Sequence, residues 1–133
     1  MKRLIFLSLL FLTLSCKDQQ NKDFIIVDGK SIGSLKLNEK LDPYKIREDI
    51  GYKIDSDSII IELYTSDKRY ITLKGVKVGD SIKKVKEKYG ESIKLRGGQN
   101  RIIGELNGVL FYRKIIFIYE NDTIKTIGIQ KRV

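Results

Sequence analysis

The sequence predicts an α+β domain: two helix-plus-antiparallel-strand units in tandem, with short helices packed on one face of an antiparallel sheet. Three observations carry this expectation. First, SLKLNEKLDPYKIREDIG (34–51) is echoed by GVKVGDSIKKVKEKYG (75–90). Each segment has two alternating apolar residues, a polar turn, an amphipathic stretch and a closing glycine. Second, each echo is followed by alternating or continuous apolar runs of strand length. Third, Asp28-Gly29, Asn107-Gly108 and Asn121-Asp122 punctuate those runs. Such dipeptides favour the positive backbone angles of a tight hairpin.

The elements follow in order. FIIVDGKSI (24–32) reads as a hairpin around Asp28-Gly29. Leu35 and Leu37 open the first unit. Asp42 is placed to cap a helix whose first residue is Pro43, where the missing N–H costs nothing. Ile46 and Ile50 then share a face, and Gly51 suits the left-handed residue that ends a helix. Ile59, Ile61 and Leu63 form a strand, and SDK (66–68) reads as the turn before Ile71 and Leu73 return. In the second unit Asp80 is the expected cap. Ile82, Val85 and Tyr89 make the buried stripe, and Gly90 closes. Ile93 to Leu95, the loop RGGQN, RIIGEL, VLFY, KIIFIYE and TIKTIGIQ supply the remaining strands. The unbroken apolar run Ile115 to Tyr119 suggests a strand covered on both faces or lining a concave one.

Composition narrows the chemistry. The 133 residues carry 26 Lys and Arg against 17 Asp and Glu, a formal net charge of +9, with no His and one Cys. Histidine acid–base work and His-ligated metal sites are excluded. Asp55-Ser56-Asp57-Ser58 is oxygen-rich, but it lacks the central glycine and distal glutamate of a calcium loop and reads as a turn. KGVKVGDS has no Gly-Lys-Ser/Thr at phosphate-loop spacing. No catalytic constellation, cofactor site or metal site is expected.

The N-terminus points to a location. Met1-Lys2-Arg3 is a positive start, and Leu4 to Leu14 is an apolar run of signal-peptide length, too short to span a bilayer. Thr13-Leu14-Ser15-Cys16 resembles the lipobox of bacterial lipoproteins. That resemblance implies cleavage before Cys16, lipid on its sulfur and acylation of the new amino group. Two or more acyl chains anchor a protein stably. The expected organisation is a signal peptide at 1–15, a lipidated tether at 16–23 and one domain at 24–133, with half-repeats at about 32–74 and 75–133.

A second resemblance lies in LKGVKVGDSIKKVKEKYGE and GVLFYRKIIFIYENDTIKTIGI. These segments are similar to the envelope module shared by SmpA/OmlA outer-membrane assembly lipoproteins and β-lactamase-inhibitor-like proteins. Two units in tandem are closer to the inhibitor-like arrangement, although the disulfides typical of the secreted inhibitors are missing. The resemblance implies a non-enzymatic, lipid-anchored envelope protein that binds a protein partner as an outer-membrane assembly or structural accessory. The alternative it implies is an inhibitor or immunity lipoprotein that blocks an envelope-active enzyme. The expected location is the outer membrane, facing the periplasm or the cell surface.

The expected partners are the membrane through the lipid, an envelope protein, and anionic lipid or glycan drawn by the positive charge; nucleic acid is not expected. The best binding candidate is the loop from Arg96 to Arg101, where two guanidiniums flank a glycine pair and suit carboxylate or phosphate contacts. Tyr112 and Arg113 extend it as residue types favoured at binding hot spots.

Overall fold

The structure is a computed structural model that describes residues 22–91 and 104–131. The signal peptide, Cys16 and the Arg96–Arg101 loop lie outside the described residues. Among the described residues ten strands form two sheets. The smaller has the order β3-β2-β1-β6, from β1 (Ile25–Val27), β2 (Ser31–Ile32), β3 (Leu35–Lys36) and β6 (Ile71–Thr72). The larger has the order β4-β5-β10-β9-β8-β7, from β4 (Gly51–Ile54), β5 (Ile60–Thr65), β7 (Gly104–Leu106), β8 (Val109–Phe111), β9 (Ile116–Glu120) and β10 (Thr123–Gln130). The larger sheet is antiparallel throughout, whereas β1 and β6 pair in parallel.

The expected pair of helix-plus-strand units is overturned. The described residues are mostly β, with one α-helix, α1 (Ile82–Tyr89). Where the first helix was expected there is a single 3-10 turn, Pro43–Lys45. Asp42 caps it as anticipated, accepting from the Tyr44 N–H at 3.0 Å. The backbone then turns extended at Ile46 (ψ 131°), and the turn buries no residue. Helix nucleation is costly, and a segment with no apolar face to bury does not repay it. Ile46 stays 44% exposed while Ile50 enters the core. Gly51 is a strand residue rather than a helix end. In the second unit Val85 is fully buried with Ile82 and Tyr89 packed beside it, so the helix holds. Its cap is Ser81, whose Oγ accepts from the Lys84 N–H at 3.2 Å; Asp80 instead accepts from the Lys77 N–H and pairs with Lys84.

The halves nevertheless repeat in their backbone bonding. In the first, the Asn38 N–H donates to the Ile60 carbonyl at 2.9 Å, the Ile60 N–H to Glu39 at 2.9 Å and the Leu41 N–H to Ser58 at 2.8 Å. In the second, Gly79 donates to Ile124 at 2.8 Å, Ile124 to Asp80 at 2.9 Å and Ile82 to Asp122 at 3.0 Å. Asn38 and Gly79 both have positive φ, as do Ser58 and Asp122. The hairpins β4-β5 and β9-β10 correspond, down to a bulge that leaves one residue, Ile61 or Lys125, unmatched. The two central strands meet about Tyr64↔Gly128, with Leu63↔Ile129 and Thr65↔Ile127 on either side, a local two-fold relation.

One core joins these parts. Ile26, Ile32 and Leu35 of the small sheet, Val85 of α1, and Leu63, Leu110, Phe117, Ile127 and Ile129 of the large sheet are buried in the same cluster. The small sheet and α1 therefore cover one face of the large sheet. At the N-terminal end, Phe24 packs edge-on against the buried Tyr70 (5.2 Å between centroids) and lies under Arg47 and Arg69. Asp49 gathers that corner. It accepts from Tyr70 Oη at 2.8 Å and pairs with Arg47 and Arg69 at 3.1 and 3.0 Å.

Candidate functional site

Residues directly opposite in an antiparallel ladder point to the same face. One row crosses all six strands of the large sheet: Gly51, Tyr64, Gly128, Ile116, Phe111 and Gly104. A second row, Thr126, Ile118, Val109 and Leu106, lies beside it on the same face. No described helix or strand packs on this side. Tyr64 and Ile118 are 39% and 40% exposed. A side chain at Gly51 would overlap the Tyr64 ring, and one at Gly128 would press on Ile116. The glycines thus leave room for large neighbours to spread across the sheet. The margin is polar: Lys53 and Glu62 pair at 3.5 Å, and Ser66 and Thr126 share a hydrogen bond at 2.8 Å. A hollow of about 500 Å³ flanks Tyr64, bordered by Glu48, Asp49, Ser66 and Asp67.

A basic cleft of about 290 Å³ opens at one end of the large sheet. Lys30, Lys114, Lys131 and Arg113 line it, together with Asp28, Asn38 and Gln130. The lining residues come from four places: the Asp28-Gly29 hairpin tip, Asn38 in the turn after β3, the β8–β9 turn and the end of β10. Lys30, Lys114 and Lys131 enter none of the ion pairs within 4 Å between described residues. Asp28 sits among these cations and accepts from Tyr89 Oη at 3.2 Å. Burial pushes its carboxyl up, against the opposing pull of Tyr89, Lys74 and Lys114. Burial likewise raises the Tyr89 phenol, so it stays a protonated donor.

The candidate residues from the sequence separate in space. Tyr112 is 8% exposed; its hydroxyl donates to the Gly90 carbonyl at 2.7 Å, and its ring packs against Tyr89 and Phe117. Burial raises that phenol to about 12. Tyr112 therefore helps fix the end of α1 on the sheet. Arg113, the next residue, is exposed and lines the basic cleft. Sequence reasoning missed the open-face residues Tyr64, Ile116, Ile118, Val109, Phe111 and Leu106, and the cleft lysines 30, 114 and 131. The signal that finds the face is alternation within strands flanked by glycine, and it becomes usable only once strand register is known.

Several carboxylates of the described residues are engaged in ion pairs and hydrogen bonds. Asp49 and Asp67 are tied to arginines, and Arg69 beside Asp67 holds that carboxyl down at about 2. Glu105 accepts from Tyr119 Oη and pairs with Lys86 at 3.7 Å. Among the described residues no group of three or more His, Cys, Asp or Glu is placed to hold a metal ion, and no helix is long and apolar enough to cross a membrane. Asp55 accepts from the Asp57 and Ile59 N–H groups, which makes 55–58 a turn. Compared with family models, curated proteins and solved structures, the chain matches none.

Proposed function

We propose that this chain is a non-enzymatic, lipid-anchored envelope protein that binds a protein partner through the open face of its six-stranded sheet, as an assembly or structural accessory of the outer membrane. One observation carries the reading: the exposed Tyr64 and Ile118 share with the half-buried Ile116, Val109, Phe111 and Leu106 a face with a polar margin on which no described strand or helix packs. Contiguous exposed apolar surface with a polar rim marks interaction sites. The lipobox-like stretch at Cys16 supports the anchor. The tether after Cys16 ends at the 3-10 turn Lys22–Phe24 and reaches less than about 20 Å when extended, which keeps the domain near its membrane. Cations in the cleft add attraction for anionic groups on the partner or on the bilayer.

The test is crosslinking of the lipidated protein in its own membranes, comparing wild type with Tyr64→Ser/Ile118→Lys. Loss of the captured partner by tenfold or more, with an unchanged melting temperature, is the expected result. Undiminished capture would remove the open face as the site. The internal duplication favours a second reading, an inhibitor or immunity lipoprotein, because it resembles the tandem arrangement of inhibitor-like proteins. Capture of a single hydrolase whose activity the protein blocks would select that reading.

A further inference from the structure

The duplication that relates the two hairpins also shows where they differ. β4 in the first half and β9 in the second occupy equivalent positions. Gly51, Tyr52, Lys53 and Ile54 pair with Tyr64, Leu63, Glu62 and Ile60, and Ile116, Phe117, Ile118 and Tyr119 pair with Gly128, Ile127, Thr126 and Ile124. The outer edge of β9 is filled by β8, through Val109↔Ile118, Leu110↔Phe117 and Phe111↔Ile116. The outer edge of β4 pairs with no strand among the described residues, and β4 ends the sheet.

We infer that the free edge of β4 is a docking position for an extended strand of an acidic partner protein, which lies antiparallel on β4 as β8 lies on β9. An unpaired edge offers a row of backbone donors and acceptors, and strand addition is a recurrent mode of recognition. The β8 register specifies the occupant. Its residue opposite Tyr52 corresponds to Leu110, which is fully buried, so this position is apolar and faces the core. Tyr52 is only partly buried and packs against that core, leaving contact surface on this side. The residue opposite Lys53 corresponds to Val109; Lys53 already pairs with Glu62 on its inner side at 3.5 Å but is largely exposed, so an acidic residue here gives it a second cross-strand carboxylate, on its outer side. The segment entering β4 adds apolar surface in Tyr44 and Ile46, which are 98% and 44% exposed. Charge decides against a second copy as the occupant: the formal +9 of the full sequence falls only to +7 when Lys2 and Arg3 leave with the signal peptide, and two such chains repel.

The edge borders the open face at Lys53, but backbone pairing along β4 does not use the Tyr64–Ile118 surface, so this inference stands or falls apart from the reading above. The test is hydrogen exchange on the full chain in detergent micelles. The probe is a synthetic peptide copying residues 106–112 with Val109→Glu. At saturating peptide the outward amides of β4 slow by about tenfold or more while those of β7 do not change. Lys53→Glu, a surface change that leaves the core intact, weakens the peptide about three- to tenfold. Ile118→Lys, which disables the open face, leaves peptide protection of β4 in place. Absence of protection at β4, protection at β9 through exchange with the native β8, or a peptide-independent dimer that already protects β4 would each overturn the inference.

Discussion

The ring of Tyr64 lies across Gly51 on the neighbouring strand, in the space that any side chain at 51 would occupy. Glycine weakens a strand through its backbone entropy, and here that weakness is exchanged for an aromatic side chain spread flat on the open face. The two positions are therefore coupled. Gly51→Ala displaces the ring and destabilises by up to about 1 kcal/mol in the wild type. In a Tyr64→Ser background the same change stabilises by about 0.5 kcal/mol, because alanine suits a strand better than glycine. Denaturant titration of the double-mutant cycle reads the inversion, and equal effects in both backgrounds would refute the coupling.

Asp28 gives a prediction in pH. Its carboxyl is raised by burial, so the charged form is the one that folding disfavours. A group with a raised folded-state value contributes stability below its unfolded value and loses it as pH rises through the folded one. Asp28→Asn, which also suits the hairpin turn, should raise the melting temperature at pH 7. That gain should fade as the solution is acidified into the carboxylate range. A gain that persists unchanged at low pH would assign the effect to turn propensity alone.

Asp49 and Asp67 behave in the opposite sense. Both carboxyls are lowered: at Asp49 burial pushes upward but the Tyr70 and Arg47 bonds prevail, and at Asp67 the Arg69 pairing leads. The contribution of Asp67 is present above the ordinary carboxylate range and is lost as pH falls below it toward about 2, and that of Asp49 is likewise lost as pH falls through its lowered folded-state value. Asp49→Ala leaves the hydroxyl of the buried Tyr70 without its acceptor and should cost about 1–3 kcal/mol. It should also flatten the acid limb of the stability profile.

Tyr112 and Arg113 are neighbours with separable roles. Tyr112→Phe removes the bond to the Gly90 carbonyl and should cost about 0.5–1.5 kcal/mol with partner capture unchanged. Arg113→Gln should leave the melting temperature within a degree or two and weaken binding of anionic vesicles. Parallel melting and vesicle-sedimentation assays separate the two.

Cys16→Ser should abolish incorporation of labelled palmitate and release the protein from membranes. Continued labelling of that variant would refute lipidation at this cysteine.

The parts of the fold legible in the sequence were the local ones. Asp28-Gly29, Asn107-Gly108 and Asn121-Asp122 all lie in hairpin turns, with positive φ at Gly29 and at both residues of the other two pairs, a conformation these residue types adopt readily. The echo between halves was also visible, and Leu35, Leu37, Val76 and Val78 are all buried. What failed was non-local. The first unit had a cap and a proline start like a helix, yet Ile46 found nothing to pack on and Asp49 was drawn to Tyr70 and two arginines. The residues after SDK do not return along β5 as a hairpin but cross to the small sheet, where β6 pairs in parallel with β1. No local pattern announces a parallel pairing between residues 25 and 71. The run Ile115 to Tyr119 showed a strand and not which face stays open, since the exposed Ile118 and the buried Phe117 are equally apolar.

The position of β10 has a consequence for the order of events during folding. It is the last strand described, yet it lies in the middle of the large sheet, between β5 and β9. Before residues 123–130 are available, β4-β5 and β7-β8-β9 are two separate ribbons without a shared core, and isolated two- or three-stranded pieces are marginal in water. Contacts between segments so distant in sequence also form slowly, because the loop must close before they reward it. The sheet therefore completes only when this final strand slides between its neighbours. Until β10 pairs with both β5 and β9 the two ribbons remain separable, and the native shape is sealed only by that last insertion.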